Sequence, residues 1–306
     1  MKVVIAGGSG FLGTPLTERL AARGDEVVIL TRRPDPSGAA GRTREVGWRA
    51  DGSAEPALAA EIDGADAVVN LAGAGIGDRR WNAARKQLLR DSRILSTRSL
   101  VRAVQSAVRR PLVFVQGSAI GFYGSTLDDR VFDESHPPGN DFLGRLCAEW
   151  ESESKPVADM GCRLVRIRTG LALAAKGGVL GRMKLPFLFF VGGPVASGRQ
   201  YFTWIHRDDW VAVAIWAIDT PSVSGPINAT APNPVTNAEF SKALGRALGR
   251  PSWLPVPGFA VKLTVGELAD VGLLRGQRVI PRRALELGFR FAYPEVGEAL
   301  SEIFRR

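Results

Sequence analysis

Short apolar runs alternate with stretches of helical spacing in the first part of the chain. The run from Val3 to Ala6 predicts a buried strand and leads into a glycine-rich turn. Leucines at 12, 16 and 20 then predict a helix that ends at residue 23. Further apolar runs predict buried strands at residues 27–30, 66–70, 112–115 and 163–168, with helices at 82–109 and 141–154. In the helix at 82–109, Leu88 and Leu100 are expected on the buried face. This alternation predicts an α/β fold, a doubly wound parallel sheet of Rossmann type with helices on both faces.

The pattern becomes less regular after about residue 170. Glycine and proline pairs separate shorter elements, which predicts that residues 1–170 form a Rossmann domain, joined by later segments, and that residues 171–306 form a smaller α+β lobe. The apolar stretch at 185–190 is either a wall or lid over a ligand, or a core or dimer contact. Apolar residues at helical spacing from Phe240 to Leu268 are expected to pack within the chain, with a partner-binding module as the alternative.

Charge and cysteine content narrow the classes of protein. Lys and Arg total 40 against 31 Asp and Glu, a net charge of +9, but the basic residues are scattered and interrupted by acids. No nucleic-acid partner is therefore expected. Two cysteines are too few for a disulfide framework, and the chain opens with a buried strand rather than a secretory segment. Since no apolar stretch is long enough to span a bilayer, we expect a cytoplasmic protein without a membrane partner.

The strongest local signal for chemistry is the turn after the first strand, where Gly7, Gly10 and Gly13 are regularly spaced. A pyrophosphate needs accessible backbone N–H groups and a helix N-terminus, and side chains would obstruct its approach. A glycine-rich loop is weak evidence by itself, but this loop follows a strand and opens a helix. It predicts a dinucleotide site, with a purely structural turn as the alternative.

Cofactor selectivity is expected to depend on Thr31, Arg32 and Arg33, which follow the second strand. NAD-binding folds usually carry an acid there, which holds the ribose 2′-hydroxyl and would repel a 2′-phosphate. A guanidinium instead binds such a phosphate through two hydrogen bonds. The sequence therefore predicts NADP(H) as cofactor, unless these arginines merely lie in a solvated loop.

Motifs spread over nearly the whole chain carry a more specific resemblance. They are GGSGFLG at 7–13, NLAG at 70–73, RW at 80–81, DSR at 91–93, GSAIGFYG at 117–124, DFL at 141–143, WE at 150–151, WIH at 204–206, NATAP at 228–232 and GQRV at 276–279. In order and spacing they resemble the extended short-chain dehydrogenase/reductase superfamily. Within it, the chain resembles the atypical epimerase family whose members carry a C-terminal domain of unknown function, here from about residue 235 to 306.

The resemblance implies a set of cofactor contacts. Thr31 and Arg32 would contact the adenosine phosphate, Arg93 would approach from the helix beneath, and Leu171 would lie near the nicotinamide. Leu71 and Ala72 would pack along the cofactor at the carboxyl end of a strand, where Rossmann ligands bind. The full set of expected cofactor-binding residues is Gly7, Gly10, Phe11, Leu12, Gly13, Thr31, Arg32, Arg33, Leu71, Ala72, Gly73, Arg93 and Leu171.

The resemblance also exposes a departure from the usual catalytic pattern. Active relatives use a Ser or Thr after the fifth core strand and a Tyr-x-x-x-Lys pair on the next helix, where the lysine lowers the pKa of the tyrosine so that it can transfer a proton. Ser118 has the position of the first residue. Phe142 and Leu146 stand where the tyrosine and lysine are expected, and neither side chain can transfer a proton.

Three groups are candidates for the missing proton donor. They are Tyr123, His206 with Asp208 or Asp209, and Glu134. Each has a structural alternative: an anchor between strand and loop for Tyr123, the start of a helix for the aspartates, and a solvated loop position for Glu134.

Two functions remain open. The first is an NADP(H)-dependent oxidoreductase or epimerase that acts on a small, partly apolar carbonyl or alcohol. The second is a protein that binds NADP(H) as a structural or sensing ligand with little turnover, which the absent Tyr and Lys favour. Ser118, Tyr123 and the apparently complete cofactor site favour the first, which we prefer. The expected partner is a small-molecule substrate, and the chain is compatible with a homodimer.

Overall fold

The structure is a computed structural model that describes residues 1–35 and 41–305. Seven strands form one sheet: β1 Lys2–Ala6, β2 Glu26–Thr31, β3 Thr43–Gly47, β4 Ala67–Asn70, β5 Val113–Ala119, β7 Arg163–Thr169 and β11 Gly225–Ala229. Their order across the sheet is β11-β7-β5-β4-β1-β2-β3, and each neighbouring pair is parallel. The predicted Rossmann-type parallel sheet is confirmed, and its last strand comes from beyond residue 171.

Shorter strands pair outside this sheet. They are β6 Val131–Phe132 with β13 Arg278–Val279, β8 Leu171–Leu173 with β10 Trp204–His206, and β9 Tyr201–Phe202 with β12 Val235–Thr236.

Helices cover both faces of the sheet and build the C-terminal lobe. They are α1 Gly13–Ala22, α2 Pro56–Ile62, α3 Ala83–Ser106, α4 Phe142–Glu153, α5 Pro156–Asp159, α6 Gly178–Leu188, α7 Arg207–Asp219, α8 Asn237–Leu248, α9 Gly258–Val265, α10 Leu268–Gly272, α11 Arg282–Glu286 and α12 Val296–Ile303, with a 3-10 helix at Ile120–Tyr123. In the part of the chain that the structure describes, none of them is long and apolar enough to cross a bilayer.

Two hydrophobic cores lie on opposite faces of the sheet because side chains alternate along each strand. In β1, Val3 and Ile5 pack against α1 and α7, whereas Val4 packs against α2 and α3. The expectation that Leu88 faces the sheet is wrong: Leu88 is exposed and Leu89 is buried. The buried face of α3 includes several small hydroxyl residues, so an apolar pattern alone misplaces the phase of the helix.

The C-terminal lobe has a third core, built around α8. Phe202 and Phe240 stack with ring centroids 4.0 Å apart, and Leu244 is fully buried beside them. A capping box between Thr236 and Glu239 begins the helix, satisfying amides that a helix leaves free at its first turn. The apolar spacing of α8 is therefore used for packing within the chain.

Asp209 joins the C-terminal segment to the main sheet. Its buried carboxylate, in the first turn of α7, accepts hydrogen bonds from the backbone N–H groups of Ala292 at 2.8 Å and Tyr293 at 2.9 Å. Desolvation by burial raises the pKa of Asp209. The pair Asp208 and Asp209 does begin the helix, and Asp209 in addition holds the segment that leads into α12.

Replacing Asp209 should loosen this attachment. We expect Asp209→Ala to lower the free energy of unfolding by about 2–3 kcal/mol, since two amide groups lose a charged acceptor. Urea unfolding measures the change. Asp208→Ala is the matched control, because Asp208 has the same charge in the same turn but is exposed. Equal losses in both variants would contradict the role of Asp209.

Candidate cofactor and active site

The glycine turn between β1 and α1 leaves no room for side chains. A Cβ atom on Gly13 would lie 2.1 Å from the carbonyl oxygen of Gly7, and one on Gly7 would lie 2.9 Å from the backbone carbon of Leu71. Gly7 also has a φ of +83°, which favours glycine. Leu12, at the N-cap of α1, makes no side-chain cap, and no acid occupies the first turn. The free amides and dipole of this helix end suit a pyrophosphate.

The segment after β4 forms the opposite wall of this turn. The Leu71 N–H donates to the carbonyl of Ala6, and the Ala72 N–H donates to the Asn70 side chain at 3.2 Å. Gly73 lies over the Arg93 guanidinium, where an added Cβ would be 3.2 Å from Cζ. The end of β4 thus lies directly against the glycine turn. That Leu71 and Ala72 pack along the cofactor stays a prediction.

Arg93 supplies positive charge beneath this wall. Its guanidinium donates to the carbonyl oxygens of Ala74 and Leu89, both at 3.0 Å, and lies 5.0 Å from the ring of Trp150. Desolvation by burial lowers its pKa, and no carboxylate among the described residues forms an ion pair with it. A cation held this way fits an anionic ligand on the other side of the segment 71–74.

The residues expected to set cofactor selectivity lie at the end of β2. Thr31 is the last residue of the strand, and Arg32 and Arg33 follow it with exposed side chains. Residues 31–33 contain no acid; the nearest acids are Asp35 and Glu45, whose carboxylate accepts from the Asp35 N–H at 2.8 Å. The contact of Arg32 and Arg33 with a 2′-phosphate stays a prediction.

Phe11 connects the glycine turn to the C-terminal lobe, a contact that sequence reasoning missed. Gly177 and Gly178 lie against its ring, such that Cβ atoms there would be 3.0 and 2.8 Å from ring carbons. The Arg207 guanidinium lies 5.8 Å from the ring centroid. Leu171, expected near the nicotinamide, begins β8 on the same side of the molecule, and its N–H donates to the carbonyl of Thr203. The adjacent glycines at 177–178 were the only sequence signal for this contact.

A buried polar network surrounds Ser118. The Ser118 hydroxyl donates to Glu151 at 2.8 Å, and the Arg168 guanidinium binds both oxygens of that carboxylate, at 2.8 and 3.0 Å. Both charged side chains are almost completely buried. The sequence analysis named Glu151 only as part of the WE motif and assigned no role to it or to Arg168, although a charged residue in an otherwise buried strand is a usable signal.

Tyr123 belongs to the same network. Its hydroxyl donates to Asn228 at 2.7 Å and accepts from Arg168 at 3.0 Å. Desolvation by burial raises the pKa of Tyr123 to about 12. The phenol therefore holds its proton at neutral pH. Its hydroxyl contacts join the 3-10 helix to β7 and β11, a structural role that differs from the expected anchor between strand and loop.

The solvated loop position expected for Glu134 is wrong. Glu134 is buried, and its carboxylate accepts from the backbone N–H groups of Asn228 at 2.9 Å and Arg283 at 3.3 Å. Burial raises its pKa. Both N–H donors lie more than 90 residues further along the chain, in β11 and α11, so the local sequence does not reveal this arrangement.

His206 lies apart from the Ser118 network in the described structure. Its Nδ1 accepts from the Asp208 N–H at 3.2 Å, which assigns the proton to Nε2, 3.1 Å from a Glu302 oxygen. Its ring stacks on Tyr293 with centroids 4.1 Å apart. These contacts join α7 to α12. The catalytic role of His206, like those of Ser118 and Tyr123, stays a prediction.

An apolar cluster fills the place of the missing tyrosine and lysine. Phe142 meets Trp81 edge to face at 5.1 Å, and Leu146 is buried in the same cluster. Leu268 and Val271 of α10 complete it from the C-terminal lobe. The positions that carry acid/base chemistry in active relatives here hold the two lobes together.

Comparisons with known proteins agree with this arrangement. Residues 3–143 match the NAD dependent epimerase/dehydratase family, and residues 256–303 match a domain of unknown function, DUF1731. The epimerase family protein ML0860 of Mycobacterium leprae is 44% identical over 299 residues, which cover 98% of this chain and 94% of that protein. The chain belongs to this epimerase family.

Solved structures of the epimerase family extend the comparison. The crystal structure of human epimerase family protein SDR39U1 (isoform 2) with NADPH is 37% identical, with a TM-score of 0.89, covering 100% of this chain and 99% of that one. A nucleoside-diphosphate sugar epimerase from Corynebacterium glutamicum is 33% identical, with a TM-score of 0.79, covering 99% of this chain and 58% of that one. This chain thus shares its fold with both solved structures.

The titration of Tyr123 gives a test of the buried network. A folded pKa of about 12 exceeds the unfolded value of about 10, so stability is fully present below pH 10 and is lost as pH rises through 12. We expect Tyr123→Phe to remove this alkaline loss while costing about 1–2 kcal/mol at neutral pH, because Asn228 and Arg168 lose a partner. Urea unfolding across alkaline pH measures both effects.

Absorbance titration of phenolate formation provides the control. The chain has three tyrosines, and only Tyr123→Phe should remove the component that titrates near pH 12, whereas Tyr201→Phe should retain it. Burial also raises the pKa of Tyr293, so Tyr293→Phe is measured alongside. A Tyr123→Phe variant that titrates like the native protein would show that the phenol is not held as described.

Proposed function

We propose that this protein is an NADP(H)-dependent oxidoreductase or epimerase-like enzyme that acts on a small, partly apolar carbonyl or alcohol. The observation that carries the proposal is the tight glycine turn, together with Arg32 and Arg33 directly after Thr31, where an NAD-binding fold usually has an acid. The human relative crystallised with NADPH supports the same cofactor. Buried free thiols at Cys147 and Cys162 suit the reducing cytoplasm.

Different residues of this chain would bind different parts of the cofactor. The glycine turn and the N-terminus of α1 would bind the pyrophosphate, Arg32 the 2′-phosphate, and Leu71 and Ala72 the flat surfaces of the cofactor. NADP(H) supplies hydride transfer when bound. Arg93 beneath the segment 71–74 would offset the negative charge of the cofactor and hold that segment in place.

The apolar cluster around Phe142 limits the substrate. A very polar sugar nucleotide would gain few hydrogen bonds from Trp81, Phe142 and Leu268, whereas an apolar group would pack against them. For the proton, Ser118 is the best placed of the three candidates, since it lies near the carboxyl end of central strand β5 beside a carboxylate. No nucleic-acid partner enters this proposal, and a homodimer is compatible with it.

A second function has one observation in its favour. Ser118 and Tyr123 both have their hydroxyl protons engaged by buried partners, and Phe142 and Leu146 are committed to packing. A protein that holds NADP(H) as a structural or sensing ligand would need no proton donor.

Cofactor selectivity is the first test. We expect mass spectrometry of small molecules released from the purified protein to detect NADP(H), and titration of the apo protein to favour NADPH over NADH. Arg32→Glu should lower the preference for NADPH by about 30-fold, the loss of a charged phosphate contact. Arg19→Glu, an equal charge change at the exposed end of α1, should leave the preference unchanged. Equal affinity of the native protein for both cofactors would overturn the assignment.

Turnover separates the two functions. Once a carbonyl screen identifies a substrate, Ser118→Ala is expected to lower kcat by about 100-fold, the usual size of a lost proton-transfer contribution. Tyr123→Phe and His206→Ala should change it less, given their structural contacts. Unchanged rates in all three variants would leave no proton donor among them, and no turnover in a screen despite NADPH binding would favour the second function.

A further inference from the structure

The C-terminal lobe exposes large apolar side chains in neighbouring segments. Phe189 is 76% exposed, Phe190 54% and Trp253 65%, while Phe259 and Leu263 on α9 are 69% and 71% exposed. Phe189, Phe190, Trp253 and Leu254 define the aromatic face, and α9 follows it along the chain. Phe259 and Leu263 are four residues apart, so they share one side of α9. Single exposed apolar residues are ordinary, but such a group marks a contact surface.

Hydrogen bonds join the two segments that carry this face, residues 189–192 after α6 and residues 253–254 before α9. The indole N–H of Trp253 donates to the carbonyl of Phe190 at 3.1 Å, and the N–H groups of Trp253 and Leu254 donate to the carbonyl of Gly192. A bridge between Val195 and Val256 continues the contact toward α9. The segment after α6 and the segment before α9 therefore present their side chains together.

Phe190 occupies the left-handed position that ends α6. Its φ is +62°, and Phe190 and Ala196 are the non-glycine residues with positive φ in residues 1–35 and 41–305. The Phe190 N–H donates to the carbonyl of Phe187 at 2.9 Å and the Val191 N–H donates to that of Pro186 at 3.0 Å, the pair of bonds that closes a helix at such a position. Glycine is the usual residue there, so the phenylalanine costs backbone strain while its ring stays exposed.

Positive charge borders the aromatic face. A shallow groove of about 470 Å³ is lined by Lys242, Gly245, Arg246, Gly249, Arg250 and Ser252, none of them acidic. Arg250 also lies 4.7 Å from the ring of Phe190, which joins the groove to the face. On α9, Lys262 is paired with Asp270 at 2.7 Å and adds no net charge. The surface combines apolar side chains with three adjacent cations, of which Arg246 also borders a second groove that contains Glu295, Glu298 and Glu302.

We propose that the aromatic face and the cationic groove dock this protein on a membrane surface that contains anionic lipid. Aromatic rings favour the boundary between headgroups and acyl chains, and nearby cations are attracted to anionic headgroups. A second copy of this chain fits less well, because a twofold contact would bring Lys242, Arg246 and Arg250 toward the same cations. The inference departs from the sequence-based expectation of no membrane partner, which considered only spanning segments, and is independent of the proposed enzyme activity.

Vesicle sedimentation tests the proposal with the full chain. We expect binding to vesicles made of equal parts phosphatidylcholine and phosphatidylglycerol, weaker binding to phosphatidylcholine alone, and release as salt is raised. No sedimentation with the mixed vesicles at low salt would overturn the proposal.

Phe190→Gly is the sharpest variant because it removes the ring and relieves the strain. Glycine adopts a positive φ freely, so the melting temperature should stay equal or rise while vesicle affinity falls about tenfold, the effect of losing one buried aromatic side chain. Arg246→Gln should weaken binding to the mixed vesicles only. The matched control is Leu112→Ser, which removes an exposed apolar side chain just before β5, far from this face along the sheet, and should leave binding unchanged.

Light scattering in the absence of vesicles distinguishes self-association. A monomer whose vesicle binding depends on Phe190 supports membrane docking. A dimer that Phe190→Gly converts to monomer, or vesicle binding equal in Phe190→Gly and the native protein, would refute it.

Discussion

The buried ion pair between Glu151 and Arg168 determines how the central elements meet. Removing either partner would leave an unpaired charge in a dry interior, which is strongly unfavourable, so α4 and β7 must keep their relative position. The same carboxylate accepts from Ser118 on β5, and the same guanidinium donates to Tyr123, which in turn binds Asn228 on β11. The ion pair and its hydrogen bonds thus fix β5, β7, β11 and α4 relative to one another near the carboxyl ends of the strands.

This constraint explains how the fold can retain a cofactor site without the usual proton-transfer pair. The glycine turn and the wall formed by Leu71 and Ala72 depend on backbone approach, which the central strands fix. Phe142 and Leu146 instead depend on α4, where they pack against Trp81 and against α10. Binding and acid/base chemistry therefore rest on different elements, and one can change without loss of the other.

Three contacts attach the C-terminal lobe to the rest of the chain. Phe11 lies against the glycines at 177–178, Asp209 holds the segment before α12, and Leu268 packs into the apolar cluster. These contacts use the inner side of the lobe. The same lobe carries the exposed rings of Phe189 and Trp253.

The sequence by itself determined the features that depend on short-range pattern. The alternation of strands and helices, the glycine turn at Gly7–Gly13 and the arginines directly after β2 could all be read locally, because each depends on residues that are close together in the chain. Tertiary structure alone decided the phase of α3, the burial of Glu134, the Glu151–Arg168 pair and the exposure of Phe259. These depend on which distant segments supply partners: Glu134 is satisfied by amides of Asn228 and Arg283, far along the chain, and no local pattern records such contacts.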